Sequence, residues 1–159
     1  MIFRDARRED VPTVVQLLAA DSLGATRETA EGPLPEGYFR AFEAIERDPN
    51  NRLVVVEDGG AVVGCLQLTF IPGLSYQGGL RMLIEGVRVH ESRRGQGVGR
   101  RMMQWAIEEA RARGCRLVQL TTNKARADAK RFYENFGFTA SHEGMKLDLE
   151  AHAAPTSPA

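Results

Sequence analysis

Apolar residues recur along this chain with two periods, and the switches between them mark its elements. Ile2-Phe3-Arg4-Asp5-Ala6 reads as a short opening strand. Asp10 before Val11-Pro12 has the composition of a helix start, since proline in the first turn gives up no needed donor. Val11, Val14, Val15 and Leu18 then share one helical face. The stretch 21–35, rich in Gly, Thr, Glu and Pro, reads as loop. Phe39, Phe42 and Ile45 predict a second helix over Glu36–Arg47, stopped by Asp48-Pro49-Asn50-Asn51.

The period then shortens to two. Leu53-Val54-Val55-Val56-Glu57 is rich in β-branched residues, Asp58-Gly59-Gly60 supplies a hairpin turn, and 61–70 returns as the partner strand. Segment 71–79, with Pro72, Gly73, Gly78 and Gly79, is a flexible excursion. In 80–90, Leu83, Val87 and Val89 recur among polar positions, and Gly86 interrupts them as a bulge or a close backbone approach would. Val98, Met102, Met103, Ala106, Ile107 and Ala110 make a helical stripe that ends at Gly114. Segment 117–122 reads as a buried strand. Ala129, Phe132, Tyr133 and Phe136 suit a short helix ended by Gly137, and 138–149 reads as a closing strand or bent hairpin.

The resulting order, β-α-α-β-β-β-α-β-α-β, shows no internal repeat and no linker. It predicts a mixed α/β layer structure with antiparallel hairpins in the middle and parallel pairing later. One domain is expected over 1–150, followed by a tail, 151–159, with nothing to bury.

Composition narrows the classes. Of 159 residues, 43% are hydrophobic and 26% charged, an ordinary soluble domain whose core needs neither disulfide nor structural metal. Twenty-one basic residues balance 21 acidic ones, which removes the usual argument for nucleic-acid binding. No apolar run approaches the ~20 residues that span a bilayer. Met1-Ile2-Phe3-Arg4-Asp5 lacks the layout of a signal peptide, so a cytoplasmic location is expected. Cys65 and Cys115 form no C-x-x-C and read as buried small hydrophobes, with no metal site expected.

The chemistry concentrates in Val87-Arg88-Val89-His90-Glu91-Ser92-Arg93-Arg94-Gly95-Gln96-Gly97-Val98-Gly99-Arg100-Arg101. A strand runs into a loop with three alternating glycines, and a helix begins at once. Glycine lets the backbone approach a ligand closely with its amides aligned. Those amides join the open donors and positive dipole end of the helix. The sum is an anion site suited to a phosphate or pyrophosphate. Neither the P-loop nor the dinucleotide G-x-G-x-x-G spacing is present.

Arg94-x-x-Gly97-x-Gly99 after Val87-x-Val89 resembles the coenzyme A-binding signature of the GNAT superfamily of acyl-CoA-dependent N-acyltransferases. A second block, Ala129-Lys130-Arg131-Phe132-Tyr133-Glu134-Asn135-Phe136-Gly137-Phe138, is similar to that family's A-x-x-F-Y-E-x-x-G-F segment. The resemblance implies a central mixed sheet of six to seven strands flanked by four helices, with splayed parallel strands forming an acyl-CoA slot. It implies acetyl-CoA as co-substrate, with Val87 and Val89 giving main-chain hydrogen bonds to its pantetheine arm. The amides of Arg94, Gly95, Gln96, Gly97, Val98, Gly99 and Arg100 would hold its pyrophosphate, and Val87 N–H would face the developing oxyanion.

Tyr133 falls where the family keeps a phenol facing the coenzyme A sulfur, which implies a general acid. Glu85 is the candidate base, or else a carboxylate that orients the substrate. Relatives often carry Asn seven residues before the helix tyrosine, where this chain has Arg126. Asn123 can serve in its place, or Arg126 can reach a cofactor phosphate.

By the same resemblance the acceptor site is built from roughly 21–47 and 71–81. Asp21, Glu28, Glu31, Glu36 and Glu43 make the first of these acidic, which favours a cationic amine or is simply solvated surface. Tyr38 and Tyr76 either line that site or pack outside it. The expected activity is acetyl transfer to a primary amine of a small molecule. A protein N-terminal or lysine acetyltransferase and a non-catalytic acyl-CoA sensor are the alternatives. A homodimer stays open.

Overall fold

Period-two alternation builds the larger of two compact units, Met1–Leu120; the smaller is Thr121–Ala159. The computed structural model describes residues 1–20, 24–124 and 126–151. Strands β1 (Ile2–Asp5), β2 (Asn51–Asp58), β3 (Ala61–Ile71), β4 (Arg81–Val89) and β5 (Leu117–Leu120) form one sheet in that order. The first three ladders are antiparallel and β4–β5 is parallel. Helices α1 (Val11–Ala19) and α2 (Glu36–Arg47) precede β2. A four-residue turn, α3 (Ser75–Gly78), precedes β4, and α4 (Val98–Ala112) joins β4 to β5. The α3 turn is left-handed, with Tyr76 at φ 53° and Gln77 at φ 59°.

Alternation then sorts the side chains onto two faces. On one, Gly64, Leu66, Leu68 and Phe70 of β3 pair with Val56, Val54, Met82 and Ile84 of the neighbouring strands. All are buried, against Val98, Met102, Met103, Ala106 and Ala110 of α4. A Cβ on Gly64 would lie 2.9 Å from the Arg88 carbonyl and 3.1 Å from Met102 Sδ, so β3, β4 and α4 close on one another only because residue 64 has no side chain. Phe3 stacks on Trp105 at 5.0 Å at the far edge of this layer. On the opposite face, Val55 and Cys65 pack under Val14 and Leu17 of α1. Val11, Val15 and Phe42 join α1 to α2 over Leu53. The methionine stripe and Cys65 are core, as their spacing predicts; Cys115 is only half-buried.

Two local signals work differently from expectation. Asp10 does not cap α1. Its carboxylate accepts the Arg7 N–H at 2.7 Å, closing the 3₁₀ turn Arg8–Asp10. It also accepts both ends of the Arg4 guanidinium, at 2.7 and 3.0 Å. Gly59 and Gly60 do make the hairpin turn, at φ 61° and 80°. Gly114, at φ 71°, ends α4 while Cys115 N–H returns to the Ala110 carbonyl.

In the smaller unit α5 (Ala127–Glu134) gathers Phe132, Tyr133, Phe136 and Phe138 edge to face. Gly137, at φ 88°, turns the chain out of the helix. The mixed α/β architecture stands, but the sheet has five strands rather than six to seven, and 138–149 forms no strand among the described residues. After Thr139-Ala140-Ser141-His142-Glu143-Gly144 only a brief alternation is left. Its apolar side chains Met145, Leu147 and Leu149 are 96%, 64% and 78% exposed, so no burial drives pairing there. The tail 152–159 and Asp21 lie outside the described residues. No helix among the described residues is long and apolar enough to cross a membrane.

The Arg4 guanidinium holds the Asp10 carboxyl below the usual carboxylate range, against the opposing effect of burial. A carboxyl lowered on folding stabilises above its unfolded pKa, and that contribution fades as pH falls through the lower folded value. Asp10→Asn should therefore cost about 1–3 kcal/mol at pH 7. Denaturant titrations across pH should show the gap to wild type closing below about pH 4.

Candidate functional site

The site begins with a mismatch in one ladder. Gln67 pairs with Glu85 and Cys65 with Arg88, so Gly86 and Val87 together oppose the single residue Leu66. This is the bulge that the interrupting glycine predicts, and Gly86 takes φ 60° to make it. The extra residue returns the strand to its original face, leaving Glu85 and Arg88 on the same side of the sheet. The bulge is braced from beneath, where the Cys65 thiol donates to the Gly86 carbonyl at 3.6 Å. Burial pushes that thiol up to about 12, so it stays protonated and keeps its donor.

Parallel pairing stops where the bulge starts. Strand β5 pairs with β4 from Arg81↔Leu117 to Ile84↔Leu120 and no further. Beyond this point His90 N–H donates to the Val63 carbonyl at 2.8 Å. Alternation therefore aims the Arg88 backbone groups at β3 and those of Val87 and Val89 at the opposite edge. Side chains confirm the direction: Arg88 Nη1 donates to Val87 O at 3.0 Å and Arg94 Nε to Val89 O at 3.4 Å. The strand thus offers main-chain groups along an edge that no β5 residue covers.

That edge leads into the glycine loop. A 3₁₀ turn, Glu91–Arg93, is pinned by His90, whose Nδ1 accepts the Ser92 N–H. Arg93 reaches Asp58 at 3.3 Å, and Gln96 Nε2 donates back to the Ser92 carbonyl at 2.8 Å. Gly95 and Gly97 sit at φ 75° and 78°. A Cβ at either would meet nothing within 4 Å, so the loop backbone faces open space. Gly97 is the N-cap of α4, and no side chain caps it. The first helical bond runs from Arg101 N–H to Gly97 O, leaving Gly97, Val98 and Gly99 amides with no acceptor inside the helix. Aligned amides at a positive helix end, with Arg94 and Arg100 exposed beside them, are chemically fitted to a diphosphate.

The remaining candidates lie as follows. Glu85 is exposed on β4, beside the bulge. In the smaller unit Tyr133 lies on α5, its ring against Phe132 at 5.2 Å and Phe138 at 6.1 Å. Arg126 stands at the N-cap of α5, its amide donating to the Asn123 carbonyl at 2.8 Å. Of the acidic residues named from sequence, Glu28 accepts the Tyr38 hydroxyl and Glu43 pairs with Arg8 and Arg47. Glu43 alone of these is paired with cations among the described residues, while the Glu28 contact is to a neutral hydroxyl. Tyr38 also accepts the Thr29 N–H, tying the preceding loop to α2. Tyr76 is exposed, with the Arg116 guanidinium 5.8 Å from its ring.

Comparison with known proteins decides the family. Residues 18–138 match the acetyltransferase (GNAT) family model. The chain belongs to the GNAT acetyltransferase family. It is accordingly an acyltransferase, with a family match that spans both the glycine loop and the Tyr133 block. An aminoalkylphosphonate N-acetyltransferase of Salmonella typhimurium is 37% identical over 143 residues, covering 86% of this chain and 92% of that one. A glucosamine 6-phosphate N-acetyltransferase of Trypanosoma brucei brucei is 34% identical over 90 residues, 57% of this chain and 59% of that one. The crystal structure of a transcriptional regulator from Bacillus halodurans C-125 superposes on this GNAT fold with TM-score 0.90 at 53% identity. It covers 93% of this chain and 99% of that one.

Sequence reasoning passed over two features. Gly64 and Cys65 support the bulge from β3, but their partners lie more than 20 positions away and leave no local mark. A row of half-buried polar residues, Asn51, Gln67 and Thr69, lies on the same face as Glu85. Its signal was present in the strict alternation Leu66-Gln67-Leu68-Thr69-Phe70.

Gly86→Ala tests the bulge. The new methyl would meet Leu18 Cδ2 at 3.7 Å, an ordinary contact, so any cost is backbone strain. For an L-residue at this left-handed φ it should be about 1–2 kcal/mol, read from the unfolding midpoint in denaturant.

Proposed function

We propose that this protein transfers the acetyl group of acetyl-CoA to the primary amine of a small molecule by direct attack on the thioester. The observation that carries the reading is the uncovered β4 edge running without a break into the uncapped glycine loop of α4. One length of backbone can pair with an amide-bearing arm and then hold a diphosphate, which is the shape of a coenzyme A thioester. Val87 and Val89 pair with the arm. The amides from Arg94 to Arg100 hold the pyrophosphate, and Asn123 and Arg126 add cofactor contacts. The names of the Salmonella and trypanosome relatives, both N-acetyltransferases of small amines, support the acceptor class.

The chain's own groups then divide the work. Val87 N–H stabilises negative charge as it develops on the carbonyl oxygen. Glu85 takes a proton from the acceptor ammonium, directly or through water, so that nitrogen attacks with its lone pair. Tyr133 gives its phenolic proton to the departing thiolate. The reading includes a cytoplasmic enzyme of one domain, 1–150, needing no metal, as a monomer or homodimer.

A second reading is a non-catalytic acyl-CoA sensor, and the name of the Bacillus halodurans structure, a transcriptional regulator, favours it. Purified protein with acetyl-CoA and a panel of small amines, followed by free-thiol release, separates the two. An enzyme turns over at least one amine; a sensor binds acetyl-CoA and turns over none. In the enzyme, Tyr133→Phe should lower kcat about 100-fold, the lower range for a lost general acid, and leave acetyl-CoA affinity within a few-fold. The loss should shrink as pH rises toward the thiol's own range. Failure of both acetyl-CoA binding and turnover would sink both readings.

A further inference from the structure

The polar row beside Glu85 is wired in one direction. Asp48 accepts the Asn50 N–H at 2.9 Å and Asn51 Nδ2 at 2.6 Å. A carboxylate only accepts, so Asn51 must present its NH₂ to Asp48 and its Oδ1 to the other side. There Oδ1 accepts Thr69 Oγ1 at 2.8 Å and Gln67 Nε2 at 3.2 Å. Reversing the Gln67 amide would set two carbonyl oxygens against each other. Gln67 is thereby held with Nε2 toward Asn51 and Oε1 turned away from it, and among the described residues nothing donates to that oxygen.

Register supplies the rest. Gln67 is the direct cross-strand partner of Glu85, on the same face and immediately before the bulge. Directly opposed residues of an antiparallel pair have Cβ atoms about 4.5–5.5 Å apart, so one small group can touch both side chains. Two acceptors with no accompanying donor suit a group that only donates.

The geometry points to Gln67 Oε1 and the Glu85 carboxylate as a paired seat for a protonated primary amine, with Asn51 and Asp48 as positioning residues that fix the Gln67 amide. The inference rests on the acetyltransferase reading and deepens it. The acceptor enters as an ammonium, hydrogen-bonded by Gln67. One N–H proton passes to Glu85, which becomes the neutral acid, and the freed lone pair stays on a nitrogen that Gln67 still holds. The pair selects for an ammonium over a hydroxyl or an anion, whatever the rest of the acceptor is.

The test uses the full chain and whichever amine the panel shows to be turned over. Gln67→Met keeps the side chain's length and removes the acceptor. It should raise the amine KM about tenfold, the size of a lost hydrogen bond to a charged group. The KM for acetyl-CoA and the thermal midpoint should hold near wild type. Asn51→Leu leaves Gln67 in place but releases its amide, and should raise the amine KM by a smaller factor, about threefold. The double variant should match Gln67→Met alone, because both changes remove one oriented acceptor. An unchanged amine KM in Gln67→Met overturns the inference and leaves the acetyltransferase reading standing. Should Gln67→Met not fold, Asn51→Leu decides, and an unmoved amine KM there overturns it equally. Wild type that turns over no amine removes the parent reading, and this one with it.

Discussion

One residue too many in β4 sets the chemistry of the sheet. An antiparallel ladder between β3 and β4 would otherwise carry through from Ile71↔Arg81 to Gly64↔Val89, but Gly86 and Val87 share one partner. The strand bends there, and the parallel ladder with β5 ends at Ile84. Backbone groups that a neighbouring strand would otherwise take stay unclaimed by β5, and the Val87 and Val89 carbonyls accept the Arg88 and Arg94 side chains instead. Buried main-chain groups demand partners, so such an edge is tolerated only where solvent or a bound molecule completes it.

The two faces of the sheet share the labour this creates. The α4 face is apolar from Val54 to Ile84, and its residues are buried essentially completely. It supplies the rigid layer on which the left-handed turn at Gly86 is held. The α1 and α2 face is apolar beneath the helices, at Leu53, Val55 and Cys65, and becomes largely polar beyond them at Asn51, Gln67, Thr69 and Glu85. The helices cover the apolar half of that face and leave the polar half beside the bulge. Cys65 joins the two, packed under α1 while its thiol donates to the bulge carbonyl.

Family membership and this geometry meet at the glycine loop. The family assigns acyl transfer; the loop gathers groups chemically suited to a polyanion within a chain of zero formal charge. The fit comes from amides aligned by Gly95 and Gly97 at a helix end that no side chain caps, with Arg94 and Arg100 exposed beside them, rather than from an overall surplus of basic residues. In the acidic stretch 24–47, Glu43 is paired with Arg8 and Arg47, and Glu28 accepts the Tyr38 hydroxyl.

Features encoded within a few neighbouring residues were readable from the sequence. Such were the two-residue turn at Gly59-Gly60, the glycine that ends α4, the bulge at Gly86 and the loop that opens α4, because backbone conformation is a local property of residue type. Element order followed from periodicity for the same reason. The stretch 138–149 misled because its alternating pattern meets a strand's local condition without any surface to bury. Asp10 misled because Arg4 and the Arg7 amide, on the strand side of the 3₁₀ turn, take the carboxylate that would otherwise cap the helix. Only tertiary structure could decide which strands lie side by side, where the parallel ladder stops, and that Asn51 would orient the amide of Gln67. Those outcomes depend on contacts between residues far apart in the chain, and such contacts are chosen by the packing of whole faces rather than by any short run of sequence.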